Sequence, residues 1–177
     1  MVTHFDYNSI FQDMQRLAKQ VNDNIQTDDN EVILNTGEPN PFVAEHVPVL
    51  SEMYAILHRL DLPDVYVGYF IHSPDKMQLD YGRLDSPASI NGGPFEGKVI
   101  RFGSDGGGSS LVIHVETKSI LLIPSFVGIE NQIVDGKNEN IFCVAPNIQI
   151  FLKRLKQDIQ HYLQNTPNWF YLTSGLY

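Results

Sequence analysis

The stretch GKVIRFGSDGGGSSLVIHVETKSILLIP, residues 97–124, is the most regular part of the chain and decides its fold class. Three short apolar blocks, Lys98–Phe102, Ser110–Val115 and Ser119–Ile123, have the length and composition typical of β-strands. Gly103–Gly108 separates the first two blocks with residues that adopt positive φ easily, and Glu116–Lys118 separates the last two. Connections this short predict an antiparallel meander.

Helical spacing of apolar residues predicts helices before and after this meander. The first helix runs to Ile25 and begins at a capping box formed by Ser9 and Gln12. A second helical pattern covers Val49–Leu60 and is stopped by Pro63. A third covers Asn147–Gln164. We therefore expect residues 1–177 to form one domain with a helical N-terminal part, 1–61, and an aromatic tail, 167–177.

The segments between the helices and the meander read as further strands and loops. Glu31–Leu34 predicts a short edge strand, and Val65–His72 predicts a strand with Met77–Tyr81 as its hairpin partner. Gly82–Pro94 reads as a loop with an Asn-Gly-Gly turn. Strands grouped in the middle, with helices before and after, predict the α+β class, and the absence of alternating βαβ units argues against a Rossmann-type fold.

Composition and charge restrict the classes of function. The chain has 177 residues, 42% of them hydrophobic, which suits one domain with a sizeable core. A formal net charge of −9 argues against nucleic acid as a direct ligand, because phosphate backbones require clustered lysine and arginine. The sequence has neither a signal-peptide pattern at Met1–Asp13 nor an apolar run of bilayer length, so we expect no membrane contact and a cytoplasmic location.

Residues that could carry chemistry are dispersed. Gly103–Gly108 leads into a strand and lacks a Gly-Lys-Ser/Thr ending, so it does not match a phosphate-binding loop. His114 alternates with apolar residues, and we expect a satisfied or surface histidine there. Cys143 is the single cysteine, which excludes an internal disulfide, and its apolar neighbours predict a buried thiol. We predict no catalytic, cofactor or metal site.

The segment Val99–Gly108, continued by Leu111–Ile113 and Ile120–Ile123, resembles the SUKH superfamily, which contains fungal cell-wall-synthesis regulators and bacterial immunity proteins. The shared features are a strand, a Gly-x-Asp-Gly-x-Gly-like turn, two further strands and a late helix. Leu62-Pro63 also matches a typical Leu-Pro step, whereas the Asn-Gly turn at Asn91 comes later than is usual in the family. The resemblance covers roughly residues 62–163, and only the meander is close.

This resemblance implies an antiparallel sheet packed against helices, a glycine turn held by Asp105, and a role in binding rather than catalysis. An immunity protein of this type binds and neutralises a toxin, often a basic nuclease, and an acidic chain would steer towards one. Charge and expected exposure predict partner contacts at Asp80, Asp85, Asp105 and Trp169. The aromatic tail, Trp169–Tyr171 in particular, is expected either to form an edge strand that packs on the core or to form an exposed interface patch.

Three functions therefore remain open at the level of sequence. The first is an immunity-type inhibitor, which predicts an exposed acidic or aromatic face. The second is a regulatory scaffold with a stable partner that is not a toxin. The third is a small enzyme or ligand-binding domain built from dispersed Asp and His residues, which predicts a deep pocket with convergent polar groups and shifted pKa values. The partner and the oligomeric state stay open as well.

Overall fold

The computed structural model describes residues 5–35 and 40–174, which contain five α-helices and ten short strands. The helices are α1 (Tyr7–Ile25), α2 (Pro41–His46), α3 (Ser51–Tyr54), α4 (Pro74–Asp80) and α5 (Ile148–Leu163). The strands are β1 (Glu31–Leu34), β2 (Leu57–Leu62), β3 (Tyr69–Ile71), β4 (Ser89–Asn91), β5 (Gly97–Asp105), β6 (Ser110–His114), β7 (Ile120–Ile123), β8 (Ile129–Glu130), β9 (Ile133–Asp135) and β10 (Phe142–Ala145).

Seven of these strands form an antiparallel sheet in the order β1-β2-β3-β5-β6-β7-β10. Strand β5 is long enough to hold two neighbours on one edge, β4 at Lys98 and β3 at Gly103–Asp105. Strand β4 continues into a small second sheet through β9, in parallel, and β8. The α+β class and the central antiparallel meander are confirmed.

A hydrophobic core lies on each face of the main sheet. Helices α1 and α5 cover one face, where Phe102 of β5 meets Phe151 of α5 edge-to-face at 5.8 Å between ring centroids. A smaller core beneath the β4-β8-β9 sheet is built from Val99, Val112 and Leu121. Alternation along β5 and β6 thus sends successive side chains into different cores, and both faces of the meander are buried there.

The glycine turn between β5 and β6 depends on one glycine above the others. A Cβ on Gly106 would stand 2.0 Å from the backbone oxygen of Val67, a distance that no side chain tolerates. The Gly106 amide donates to the Gly68 oxygen, so this turn is docked against the turn before β3. The segment Gly103–Asp105 belongs to β5 rather than to the turn, because it pairs with β3.

Helix α1 forms where its apolar stripe predicts, but it starts earlier than expected. The Ser9–Gln12 capping box is wrong, since Asp6 is the N-cap and its Oδ1 accepts the Ser9 amide at 2.9 Å. The carboxylate satisfies an amide that no helical carbonyl can reach. Helix α5 begins as expected, with the Asn147 side chain accepting the Ile150 amide at 2.9 Å.

The helix predicted over Val49–Leu60 is wrong in its second half. After α3 the chain extends into β2, which pairs with β1 and β3. Leu57 and Leu60 stand three residues apart, like helix neighbours, and both are buried because the register with β1 shifts between Ile33 and Leu34. Such a bulge turns an alternating strand pattern into one that imitates a helix.

The hairpin predicted after residue 65 is also wrong. The strand is limited to Tyr69–Ile71, and Met77–Tyr81 falls in α4 and its C-cap instead of a partner strand. Ser73 caps α4 through its hydroxyl, which accepts the Lys76 amide at 3.3 Å, and Pro74 occupies the first turn. This Ser-Pro-Asp sequence is a helix start as well as a turn signal.

The remaining segments divide between confirmed and corrected predictions. Glu31–Leu34 is an edge strand that pairs with β2, as expected. The loop expected over Gly82–Pro94 contains β4, and the tail from Pro167 to Ser174 has no strand. Predictions that concern residues 1–4, 36–39 and 175–177 lie outside the described residues.

Candidate functional site

A cleft of about 410 Å³ opens on the main sheet, where residues of β2, β3 and β5 line it. Helix α4 and the glycine turn form its walls. Its polar lining comes from neighbouring strands and from α4: Arg59, Asp61, His72, Lys76, Ser104 and Asp105. The cleft has the size and mixed lining of a ligand site.

His72 is a buried titratable group of this cleft, with 6% of its surface exposed. Its amide donates to the Phe102 oxygen at 2.9 Å, and its own backbone oxygen accepts the Tyr54 hydroxyl at 2.8 Å. The ring lies between two polar groups, with Nε2 3.3 Å from Ser104 Oγ and Nδ1 3.6 Å from Asp80 Oδ2. These contacts fix the imidazole at the floor of the cleft.

Burial lowers the pKa of His72 to about 4, and the positive charges of Arg101 and Lys76 act in the same direction. The negative charge of Asp80 opposes the shift but does not overcome it. Asp80 also accepts a hydrogen bond from Lys76 Nζ at 3.4 Å, so its negative charge acts on both Lys76 and His72. The imidazole is therefore neutral at physiological pH.

The His72 ring lies between Ser104 and Asp80. This order resembles a catalytic triad of nucleophile, base and orienting carboxylate. The distance of 3.6 Å between His72 Nδ1 and Asp80 Oδ2 is longer than a hydrogen bond. A base with a pKa near 4 is also a poor proton acceptor at pH 7, where catalysis favours a pKa close to the operating pH. This arrangement favours binding of a polar group over proton transfer.

Two of the four predicted partner-binding residues, Asp105 in the lining of the cleft and Asp80 beside His72, are buried, so their expected exposure is wrong. Asp80 is 7% exposed because α4 turns it inward towards His72. Asp105 is 3% exposed, and its Oδ1 accepts the Ser109 amide at 2.7 Å across the glycine turn. Asp105 thus holds the hairpin, as the resemblance implied. Both carboxylates are turned towards their own chain, since buried charge requires a partner.

Asp85 and Trp169 lie elsewhere on the molecule. Asp85 is exposed and forms a two-pronged ion pair with Arg83 at 2.8 and 3.0 Å. The Arg83 guanidinium holds the pKa of the Asp85 carboxyl below its usual value. Trp169 is half-buried and stacks on His161 at 3.6 Å between centroids. Partner binding by either residue stays a prediction.

Trp169 is anchored by Asp158, a residue that the sequence patterns did not single out. Asp158 is fully buried and accepts three hydrogen bonds, from Tyr69 Oη at 2.8 Å, Trp169 Nε1 at 2.8 Å and the Leu172 amide at 2.9 Å. Burial raises its pKa, although all three donors favour the ionised form. Its place on the apolar face of α5 is the one feature of the sequence that indicates this role. An acid on a buried face needs hydrogen-bond donors around it.

The anchored tail completes a second recess, which we call the tyrosine groove: a space of about 480 Å³ lined by Ile25, Tyr66, Tyr162 and Tyr171 among others. The rings of Tyr66 and Tyr171 stack in parallel, 4.2 Å apart with an interplanar angle of 4°. Tyr66 adopts the left-handed conformation, with φ of 57°, which is uncommon for a bulky residue. Part of the predicted aromatic tail therefore packs and part lines an open surface.

Two further predictions concern residues outside these sites. His114 is buried and satisfied, as expected: Nε2 lies 3.1 Å from the Glu96 oxygen, and Nδ1 accepts the amides of Glu116 and Thr117 at 3.2 Å. The buried thiol expected at Cys143 is wrong, because β10 is an edge strand and the side chain points to solvent. Its apolar neighbours in sequence indicated burial that an edge strand does not provide.

In the described part of the chain, no group of three or more His, Cys, Asp or Glu side chains is placed to hold a metal ion. Within residues 5–35 and 40–174, no helix combines the length and apolar character needed to cross a bilayer. Comparison of the chain with protein-family models, curated proteins and solved structures found no significant match.

Proposed function

We propose that this chain is a non-enzymatic binding protein that recognises a basic protein partner, as an immunity protein recognises its toxin. The proposal rests on one observation, the separation of charge within the fold. Helices α1 and α5 carry five basic and three acidic residues, a formal charge of +2. The rest of the chain carries seven basic and eighteen acidic residues, a formal charge of −11.

This separation is larger than solubility requires, because an evenly spread charge of −9 would serve that purpose equally well. A surface of one sign attracts a partner of the opposite sign and raises the association rate. The resemblance of residues 97–124 to SUKH proteins supports an inhibitor that neutralises a basic toxin, possessing no catalytic machinery of its own. A cytoplasmic location is part of this proposal.

The test is co-expression of the tagged protein with the products of neighbouring reading frames in its native host, followed by purification and a growth assay. We expect a basic, toxic polypeptide to copurify and to lose its toxicity. We also expect association to slow about tenfold between 50 and 500 mM salt, since steering is screened. Recovery of only neutral or acidic partners would contradict the proposal. So would normal growth of cells that express the basic neighbour after the gene for this protein has been deleted.

The cleft supports a second candidate, a small-ligand-binding domain. Its volume of about 410 Å³ lies within the range of ligand sites, and His72 Nδ1 is a buried polar atom without a hydrogen bond. A ligand that donates to or accepts from this nitrogen would relieve that deficit. A thermal-shift screen with small polar metabolites tests this candidate. Stabilisation that is lost in Ser104→Ala would favour it over the protein-binding function.

A further inference from the structure

We propose that the tyrosine groove is the surface that receives an arginine side chain of the basic partner. The inference rests on the proposed function, because it names the face and the chemistry by which such a partner is recognised. Three independent features of the groove converge on a planar cation: helix ends, carboxylates and an aromatic stack.

Both long helices end at the groove. The last residues of α1, with Ile25, and of α5, with Leu163, line it. The C-terminus of a helix carries about half a negative charge, since its last carbonyls have no intrahelical partners. Helix α1 has no basic residue in its last turn, and the last turn of α5 carries only His161, which stacks on Trp169. Two such ends at one place favour a cation there.

Carboxylates lie near the end of α1, outside the lining of the groove itself. Asp64 is two residues from Tyr66, and its Oδ2 accepts from Asn30 Nδ2 at 2.8 Å, which ties the turn of Tyr66 to the loop after α1. That loop also carries Asp28 and Asp29, which are exposed. Of the residues that the structure places in the lining of the groove, none is lysine or arginine. The lining also contains no Asp or Glu, so any negative field at the groove comes from the two helix ends and from the carboxylates of the neighbouring loops.

The stacked tyrosines supply the shape. Tyr66 is 36% exposed and Ile25 is 44% exposed, so the rings and an aliphatic edge face solvent together. A guanidinium stacks on aromatic faces while its N–H groups pair with carboxylates, which an ammonium does less well. The left-handed backbone of Tyr66 holds its ring against Tyr171, and strained positions of this kind cluster at binding sites.

The test uses the full chain and a fluorescent hexa-arginine peptide, whose affinity is measured by anisotropy at 50 mM salt, with amide chemical shifts to locate binding. We expect shifts at Tyr66, Tyr171 and the end of α1. Affinity is expected to fall about tenfold in Tyr171→Ala and in Tyr66→Asn. Asparagine is chosen at position 66 because it tolerates the left-handed conformation. Hexa-lysine is expected to bind at least threefold more weakly, roughly the share that stacking contributes.

Phe126→Ala is the matched control, because Phe126 is 67% exposed and lies in the loop after β7. It is expected to leave the affinity unchanged. Absence of peptide binding, shifts confined to another surface, or equal weakening by Phe126→Ala and Tyr171→Ala would overturn the inference. Failure of the proposed function is distinguishable: a toxin that is neutralised equally well by Tyr171→Ala refutes the groove alone, whereas peptide binding at the groove without any basic partner refutes the function alone.

Discussion

Removing the carboxylate of Asp158 should release the C-terminal tail and destabilise the fold by a predictable amount. Asp158→Ala leaves Tyr69 Oη, Trp169 Nε1 and the Leu172 amide without their acceptor. An unsatisfied buried donor costs about 1–3 kcal/mol, but Trp169 is half-buried and can turn to water. Burial raises the pKa of the Asp158 carboxyl, so its charge is unfavourable where it lies. Removing that charge offsets part of the lost stability. We expect a net loss of about 3–5 kcal/mol.

The matched variant Asp158→Asn separates hydrogen bonding from charge. Oδ2 accepts from Tyr69 and from the Leu172 amide, whereas Oδ1 accepts only from Trp169. An asparagine oxygen at the Oδ2 position still accepts from Tyr69 and from the Leu172 amide. The asparagine NH₂ group then faces the indole N–H of Trp169, and the two donors cannot form a hydrogen bond. We expect Asp158→Asn to cost about 1–2 kcal/mol, clearly less than the loss in alanine.

Urea unfolding measures both losses, and Trp169, the single tryptophan, reports the tail directly. At this chain length 1 kcal/mol corresponds to about 2–4 °C in Tm, so Asp158→Ala should melt about 10 °C lower. Its tryptophan emission should shift to the red before global unfolding, because the tail detaches first. A loss under about 1 kcal/mol, or equal losses in the two variants, would refute the account of Asp158 as the anchor of the tail.

Two further predictions address the cleft and the glycine turn. The pKa of His72 falls to about 4 on folding, so the unfolded chain binds its proton more tightly, and stability should decline as pH drops from 6.5 towards 4. Urea unfolding should show a loss of about 2 kcal/mol between pH 7 and pH 5, which His72→Gln should largely abolish; an unchanged pH dependence in that variant would contradict the shift. Gly106→Ala should cost at least about 2 kcal/mol, since its Cβ would meet the Val67 oxygen at 2.0 Å. Gly128→Ala, with no atom within 4 Å of the new Cβ, should stay within about 0.5 kcal/mol in the same assay, and equal melting of the two variants would refute the steric argument.

The candidate sites were only partly visible in the sequence. Asp105 is recognisable in the sequence as a turn acid and Trp169 as a tail aromatic, and both hold structural positions. The roles of Asp158 and of the contact between His72 and Ser104 are not apparent in the sequence. Tyr69 and Asp158 are 89 residues apart, and His72 and Ser104 are 32 apart. No local pattern records which distant donor an acid will meet, so such pairs appear only when the sheet and α5 are assembled.

The amino-acid sequence by itself determined the α+β class, the meander of residues 97–124 and the two long helices, because periodicity and caps act over a few residues. The tertiary structure decided that residues 57–62 extend, since pairing with β1 and β3 outweighs a helix-like spacing of leucines. It also turned Asp80 and Asp105 inward and brought the ends of α1 and α5 to Tyr66 and Tyr171. These outcomes depend on long-range burial and hydrogen bonding, which the chain acquires only by folding.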